Sequence, residues 1–405
     1  MVVASEEGPD TFGATAETTA QVTPTPTEGP LAVLSGLIGL RPAGSGDEGE
    51  EHLALGLVGD VERPRFLLPL GHRGVTRAAL LTYQGLRPMK TRAGRRFLAA
   101  VSRVGAVLPA QIDSALPHAR HRFVADRGAG SLVAALSDTL GVDDMHVGIG
   151  VGNFDEVWKP TLQCFSPDGD PLAYAKVGLG PIGAHLVDAE RQALEAWSMS
   201  DDPRLVVPAL TGTVTWNGLT VILTEPMPLD ARRLPPTPIG AWPVRQLDPG
   251  PTQSKVGSAP WWLHRRRRHA EEPEIDDILA AIERRHADDT HQWARWHGDW
   301  VPWNMARCSR GLVVWDWEYS EPGAPVGLDE AHATYQQHRV VLRSPVDESL
   351  AAARHAAADP WIGDAHLAML VTRSAHLAAL HGSPFGDHHE IVRAAKVLGA
   401  DRSRR

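Results

Sequence analysis

Three groups of residues are spaced so that they could do chemistry together. His297-Gly298-Asp299-Trp300-Val301-Pro302-Trp303-Asn304 sets a carboxylate and an amide five residues apart, in a loop that Pro302 keeps out of regular helix. Twelve residues after Asn304 the apolar run Val313-Val314-Trp315 ends in Asp316, and Glu318 follows. Far upstream, Lys176 lies near the end of the strand-like run Leu172 to Val177. Phosphoryl transfer needs such a set: a carboxylate near the attacking hydroxyl, oxygen ligands for magnesium and a cation on the nucleotide phosphates. The reaction is mostly positioning and charge stabilisation. Taken singly, each residue has a plainer reading, since Asp and Asn are common in turns and a strand-end lysine is usually solvated. Their order along the chain favours the chemical one.

The elements that must position these residues follow from local pattern. Thr161 to Phe165 and Leu172 to Val177, joined through Pro167-Asp168-Gly169-Asp170, predict a hairpin that carries Lys176. A helix is expected from about Ala184 to Met199, with Leu186, Ala189, Ala193, Leu194 and Trp197 on one face. Glu190 sits at the edge of that face, and Glu195 lies on the same helix. Thr213 to Trp216 and Leu219 to Thr224 flank Asn217-Gly218, a favoured two-residue turn, and predict a second hairpin. Helical spacing also marks 130–141, Ile275 to Ile282 and Leu367 to Leu380.

These residues resemble the signature of the aminoglycoside phosphotransferase family, within the kinase-like superfamily: H-G-D-x-x-x-x-N, a short hairpin, then an apolar run ending in D-W-E. The resemblance covers roughly Asp143 to Ala333. It implies an α+β, protein-kinase-like fold with a small antiparallel-sheet lobe and a larger helical lobe. It implies that Asp299 is the catalytic base, that Asn304 and Asp316 hold Mg2+, and that Glu318 lies near the metal. Lys176 resembles the lysine on the nucleotide phosphates and Glu190 its ion-pair partner. Leu223 to Met227, with Glu225 and Met227, falls where the inter-lobe hinge would meet the adenine of ATP. The expected activity is transfer of the γ-phosphoryl group of ATP to a hydroxyl of a small molecule such as an aminoglycoside or a sugar. A catalytically silent nucleotide-binding or scaffold protein is the competing reading. Gly148, Gly150 and Gly152, with Asn153, fit a phosphate-covering loop and a tight strand equally well.

The whole chain sets outer bounds. Its 405 residues, 43% hydrophobic, suffice for two or three domains or lobes. The expected division is a disordered tail over 1–30, an N-terminal extension of unassigned role over 31–130, a small lobe over 131–226 and a helical lobe over 227–405. A formal charge of −9 argues against nucleic-acid or anionic-membrane partners. The basic run His264 to His269 is expected to be a solvated face. Two distant cysteines, no secretory leader pattern and no apolar run long enough to span a bilayer predict a cytoplasmic protein. Thirteen tryptophans, six of them between Trp293 and Trp317, are expected mostly to pack, with one or two lining a pocket.

Overall fold

The computed structural model describes residues 29–44, 51–70, 72–82, 86, 89–104, 121–151, 154–155, 157–197, 205–234 and 251–400. The tail expected over 1–30 lies outside them except for Gly29 and Pro30, as do Gly152 and Asn153.

The first half of the chain builds one antiparallel sheet. Its elements are α1 (Pro30–Ile38), β1 (Arg41–Pro42), β2 (His52–Gly59), β3 (Pro64–Pro69), α2 (Arg73–Leu81), α3 (Met89–Val104), β4 (Arg122–Asp126), α4 (Leu132–Leu140), β5 (His146–Gly150), β6 (Thr161–Phe165), β7 (Pro171–Val177), α5 (Gly180–Trp197), β8 (Leu205–Val206), β9 (Leu210–Trp216) and β10 (Leu219–Thr224). Nine strands pair in the order β1-β4-β2-β3-β5-β6-β7-β10-β9. Both expected hairpins are present. Lys176 pairs across to Thr161, and Asn217 and Gly218 take the positive φ values (47° and 77°) that a tight two-residue turn needs. The expected boundary near residue 130 falls inside this sheet, because β3 pairs directly with β5. One apolar core runs from Leu34, Leu55 and Leu67 to Val147, Leu162 and Leu223, and a smaller one joins Phe66, Leu68 and Phe165 to α2.

Small-residue packing fixes the face on which Lys176 emerges. Ala173, Ala175 and Val177 are buried in the sheet core, so the two-residue period of the strand turns Tyr174 and Lys176 to the other side. Helix α5 lies against that region, burying Ile182, Leu186, Glu190 and Leu194.

The second half holds β11 (Arg232–Arg233), β12 (Thr252–Lys255), α6 (Pro260–Arg268), α7 (Pro273–His286), β13 (Thr290–Trp296), β14 (Met305–Cys308), β15 (Gly311–Val314), β16 (Glu321–Pro325), α8 (Leu328–Gln336), α9 (Val346–Ala356), α10 (Pro360–His381) and α11 (His388–Ala400). Its core centres on Trp262, Trp361 and the buried faces of α7 to α11. Two small sheets accompany the helices, β11-β14-β15-β8 and β12-β13-β16. Strand β8 comes from the first half of the chain and runs parallel to β15, so the two lobes interlock. No helix among the described residues is long and apolar enough to cross a membrane.

The basic run departs from a simple solvated face. It is helix α6, and Arg265 is buried, stacked 3.6 Å over the Trp261 ring. Its charge is met by Glu321 at 2.7 Å. The helical phase decides this: Trp261, Trp262 and Arg265 share the inward face, while Arg267 points out.

The continuity of the sheet core is testable. Leu55, fully buried in β2, touches no part of the proposed chemistry. Leu55→Ala is expected to cost about 2–5 kcal/mol and to lower the midpoint of one shared unfolding transition. Separate transitions for residues 31–130 and the rest of the sheet lobe, followed by urea denaturation, would contradict the continuous core.

Candidate active site

Lys176, Glu190 and Asp316 meet at one point between the lobes. Lys176 Nζ donates to both carboxylate oxygens of Glu190 at 2.7 and 2.8 Å and to Asp316 Oδ1 at 2.5 Å. Glu190, not Glu195, is the partner: Glu195 is exposed and pairs with Arg191 one turn away. Burial disfavours the charge on Lys176, but the three carboxylates Asp316, Glu190 and Glu318 outweigh it and hold the ammonium above its ordinary pKa. Asp316 is likewise opposed by burial, yet the Lys176 charge keeps its carboxyl below the usual range.

Asp316 has a positive φ of 63°, which turns the chain sharply just after β15 and aims the carboxylate at Lys176. Next to it, Glu318 is drawn away to Lys159, at 2.6 Å. Both side chains are largely buried. Lys159 precedes β6, so this ion pair ties the start of that strand to the segment after Asp316.

The loop carrying Asp299 is held from four sides. His297 is fully buried; its Nε2 donates to the Trp315 carbonyl at 3.0 Å while its Nδ1 accepts from the Asp299 amide at 3.1 Å. That pattern fixes the neutral tautomer, and burial pushes the imidazole pKa down to about 4. Asp329, at the head of α8, accepts the His297 and Gly298 amides at 2.9 and 3.0 Å; burial lifts its carboxyl to about 7. Arg373, on α10, donates twice to the Gly298 carbonyl at 3.2 Å. Gly298 itself is required, since its φ is 88° and a Cβ would lie 2.2 Å from the Tyr319 carbonyl oxygen.

Within that loop, Asn304 Nδ2 donates to Asp299 Oδ2 at 2.8 Å and to the Asp299 carbonyl at 3.2 Å. This leaves the side-chain oxygen of Asn304, Oδ1, without a donor among the described residues, while its main-chain carbonyl accepts from the Trp315 amide at 3.2 Å. Asp299 Oδ1 is buried and has no hydrogen-bond partner among the described residues; the neutral His332 ring stands 3.6 Å away. Burial raises the Asp299 carboxyl above the ordinary aspartate range, which suits a group that takes up a proton.

A cavity of about 670 Å³ lies between the lobes and includes Lys176, Glu190, Glu225, Met227, Trp303 and Asp316 in its wall. Its volume falls in the range that holds nucleotide-sized ligands. The Glu225 amide is engaged with the Ala209 carbonyl at 2.8 Å, whereas the Met227 amide meets no acceptor among the described residues. Trp303 is 39% exposed into this region, while Trp296, Trp300 and Trp317 are buried packing. Gly150 reaches the cavity wall and Gly148 is packed under Phe66.

Sequence reasoning did not find Lys159, Asp329 or Arg373. It also placed Arg65, Phe66, Leu86 and Arg95 outside the kinase-like portion, yet they line the same cavity. Leu86 packs with Ala231, Ala306 and Val313 of the opposite lobe. Its neighbourhood carries no motif; only the sheet pairing brings it there.

An antiparallel-sheet lobe facing a mainly helical lobe across a cleft is the kinase-like α+β class. No family model and no curated protein matches the chain. Among solved structures it is similar to a thermostable mutant of aminoglycoside phosphotransferase APH(4)-Ia, at 12% identity and a TM-score of 0.44, over 67% of this chain and 98% of that one. It is also similar to choline kinase LicA from Streptococcus pneumoniae, at 15% identity and TM-score 0.38, over 65% and 95% of the two chains. A glucosamine kinase matches over 96% and 98%, at 16% identity and TM-score 0.25.

The buried neutral histidines set an acid limit. His297, His146 and His376 are all held near pKa 4, first by burial, against an ordinary value of 6.5. Between those values the unfolded chain binds protons that the folded chain does not, so stability falls as pH drops through that window. From pH 7 to 5 the wild type is expected to lose about 2 kcal/mol more than His297→Gln. Denaturant midpoints at the two pH values measure it, and equal losses would remove His297 from this role.

Proposed function

We propose that the chain is an ATP- and Mg2+-dependent phosphotransferase that moves the γ-phosphoryl group of ATP to a hydroxyl of a small molecule. The observation that carries the reading is Lys176 bonded at once to Glu190 and Asp316, residues 14 and 140 positions away, in the wall of a nucleotide-sized cleft. A structural ion pair has no need of a third partner from the opposite lobe. A lysine that must meet phosphates beside a metal-holding carboxylate does.

The residues fit magnesium by their chemistry. Asp316 and Asn304 Oδ1 offer hard oxygen ligands, and magnesium on a nucleotide takes one or two protein oxygens together with phosphate and water oxygens. Among the described residues no group of three or more His, Cys, Asp or Glu side chains is arranged to hold a metal, which accords with a metal that arrives with the nucleotide. When bound, magnesium would neutralise charge on the β- and γ-phosphates.

The chain's own residues do the rest. Lys176 neutralises the nucleotide phosphates and Glu190 holds its ammonium in place. Glu225 and Met227 lie at the hinge, where the Met227 amide offers a donor to the base. Asp299 accepts the proton of the acceptor hydroxyl through its unpartnered Oδ1, while Asn304 fixes its other oxygen. His297, Asp329 and Arg373 keep that loop rigid before substrate arrives, so little ordering is left for the reaction itself.

The test is an ATP-consumption assay over small hydroxyl compounds. Asp299→Asn is expected to lower kcat by about 10²–10⁴-fold with nucleotide affinity retained. Lys176→Met is expected to weaken nucleotide binding as well as turnover. Undiminished turnover in Asp299→Asn would remove the base from its role, and a wild-type protein that binds no nucleotide would end the reading.

A further inference from the structure

A second cavity, of about 180 Å³, has the segment that follows Asp316, Glu318 to Glu321, in its wall. Helices α5, α6 and α10 wall it, and His185, Arg268, Glu318, Tyr319, Arg373 and His376 reach its surface.

Its charges do not cancel. Glu321 neutralises Arg265 at 2.7 Å and Lys159 neutralises Glu318 at 2.6 Å. That leaves Arg268 and Arg373, neither of which has a carboxylate within ion-pair distance among the described residues. Arg268 Nη2 rests on His376 Nδ1 at 2.6 Å. Arg373 gives two N–H groups to the Gly298 carbonyl and lies 4.2 Å over the Tyr319 ring. A guanidinium has five N–H donors, so both keep donors to spare. The histidines do not add compensating charge of either sign: burial and the Arg268 charge lower the pKa of both His185 and His376.

Position relates this cavity to the chemistry. Arg373 grips the carbonyl of the residue before Asp299, and its charge acts on the Asp299 carboxyl. Glu318 and Tyr319 follow Asp316 directly in the chain. Size limits what can enter. The volume is below the roughly 300–1,000 Å³ of pockets for drug-sized ligands, too small for a multi-ring aminoglycoside, whose ammonium groups the two arginines would also repel.

We propose that this cavity is the acceptor subsite and that it takes a small hydroxyl compound bearing an anionic group, held by Arg268 and Arg373. The proposal rests on the phosphotransferase reading above. With the anion seated there, the acceptor oxygen forms its bond to the γ-phosphorus as the bond from that phosphorus to the β-bridging oxygen breaks. ADP leaves with the electron pair, and the hydroxyl proton passes to Asp299 and then to solvent. Two sources of the anion, a carboxylate or a phosphate ester, share the same recognition.

The test begins with wild-type affinity for a fluorescent ATP analogue, since a protein that binds no nucleotide fails the underlying reading and this one with it. Sulfate is then the probe. It is expected to raise Tm above a chloride control of equal ionic strength, and Arg268→Gln is expected to abolish that excess while nucleotide affinity stays within twofold. Turnover is compared in matched pairs: glycerate with glycerol, glucose 6-phosphate with glucose, and kanamycin as a cationic control. The anionic member of at least one pair is expected to lead its neutral partner by at least tenfold in kcat/KM. Arg268→Gln should erase that lead through KM, and Arg268→Lys should restore part of it. The pair that responds identifies carboxylate or phosphate. Nucleotide binding without a sulfate effect, or turnover that favours neutral acceptors or kanamycin, or no anionic lead in either pair, would overturn the proposal and leave the phosphotransferase reading standing.

Discussion

Everything about the cleft depends on the ammonium of Lys176. It is buried, and a buried lysine without partners would give up its proton. Here three carboxylates, from helix α5, from the turn after β15 and from the residue two beyond that turn, keep it charged. Removing the ammonium would leave Glu190 buried without its counter-charge, at a cost of about 3–5 kcal/mol. The lobes are therefore held in register by electrostatics at the site where a polyanion would enter. Lys159 repeats the device on Glu318 and spares Lys176 a third close contact.

The loop bearing Asp299 shows the complementary constraint. Its side chain is left with one unpartnered oxygen, while its backbone is over-determined by His297, Asp329 and Arg373. Rigidity comes from groups that bond amides and carbonyls, and of the two carboxylate oxygens only Oδ2 is bonded, by Asn304 at 2.8 Å. Gly298 makes this possible because the Tyr319 backbone passes where any side chain would sit.

Local features were legible in the sequence because they rest on near neighbours. The Asn217-Gly218 turn and the hairpin carrying Lys176 follow from turn residues and the two-residue period, and the 3.6-residue period puts Glu190 at the edge of the apolar face of α5. The helix of the basic run was partly hidden, since charge count says nothing of which arginine faces inward. Asp329 and Arg373 were not legible at all: they recognise main-chain atoms, and main-chain atoms leave no mark on residue type. The pairing of β3 with β5 escaped for a different reason. Phe66 and Gly150 are partners separated by more than eighty residues, and strand patterns state which face is buried but not which strand lies alongside.

That pairing has a consequence for how the chain can be handled. Strand β5 is flanked by β6 along its whole length on one side and by β3 at Ile149 and Gly150 on the other. Trimming the chain to its motif-bearing part would turn β5 into an open edge, with apolar Val147 and Ile149 and no charged side chain to guard it between His146 and Gly150. Such an edge is a template for other strands. A shortened protein would thus meet its own copies before it met a nucleotide, and the same cut would take Arg65, Phe66, Leu86 and Arg95 out of the cleft wall.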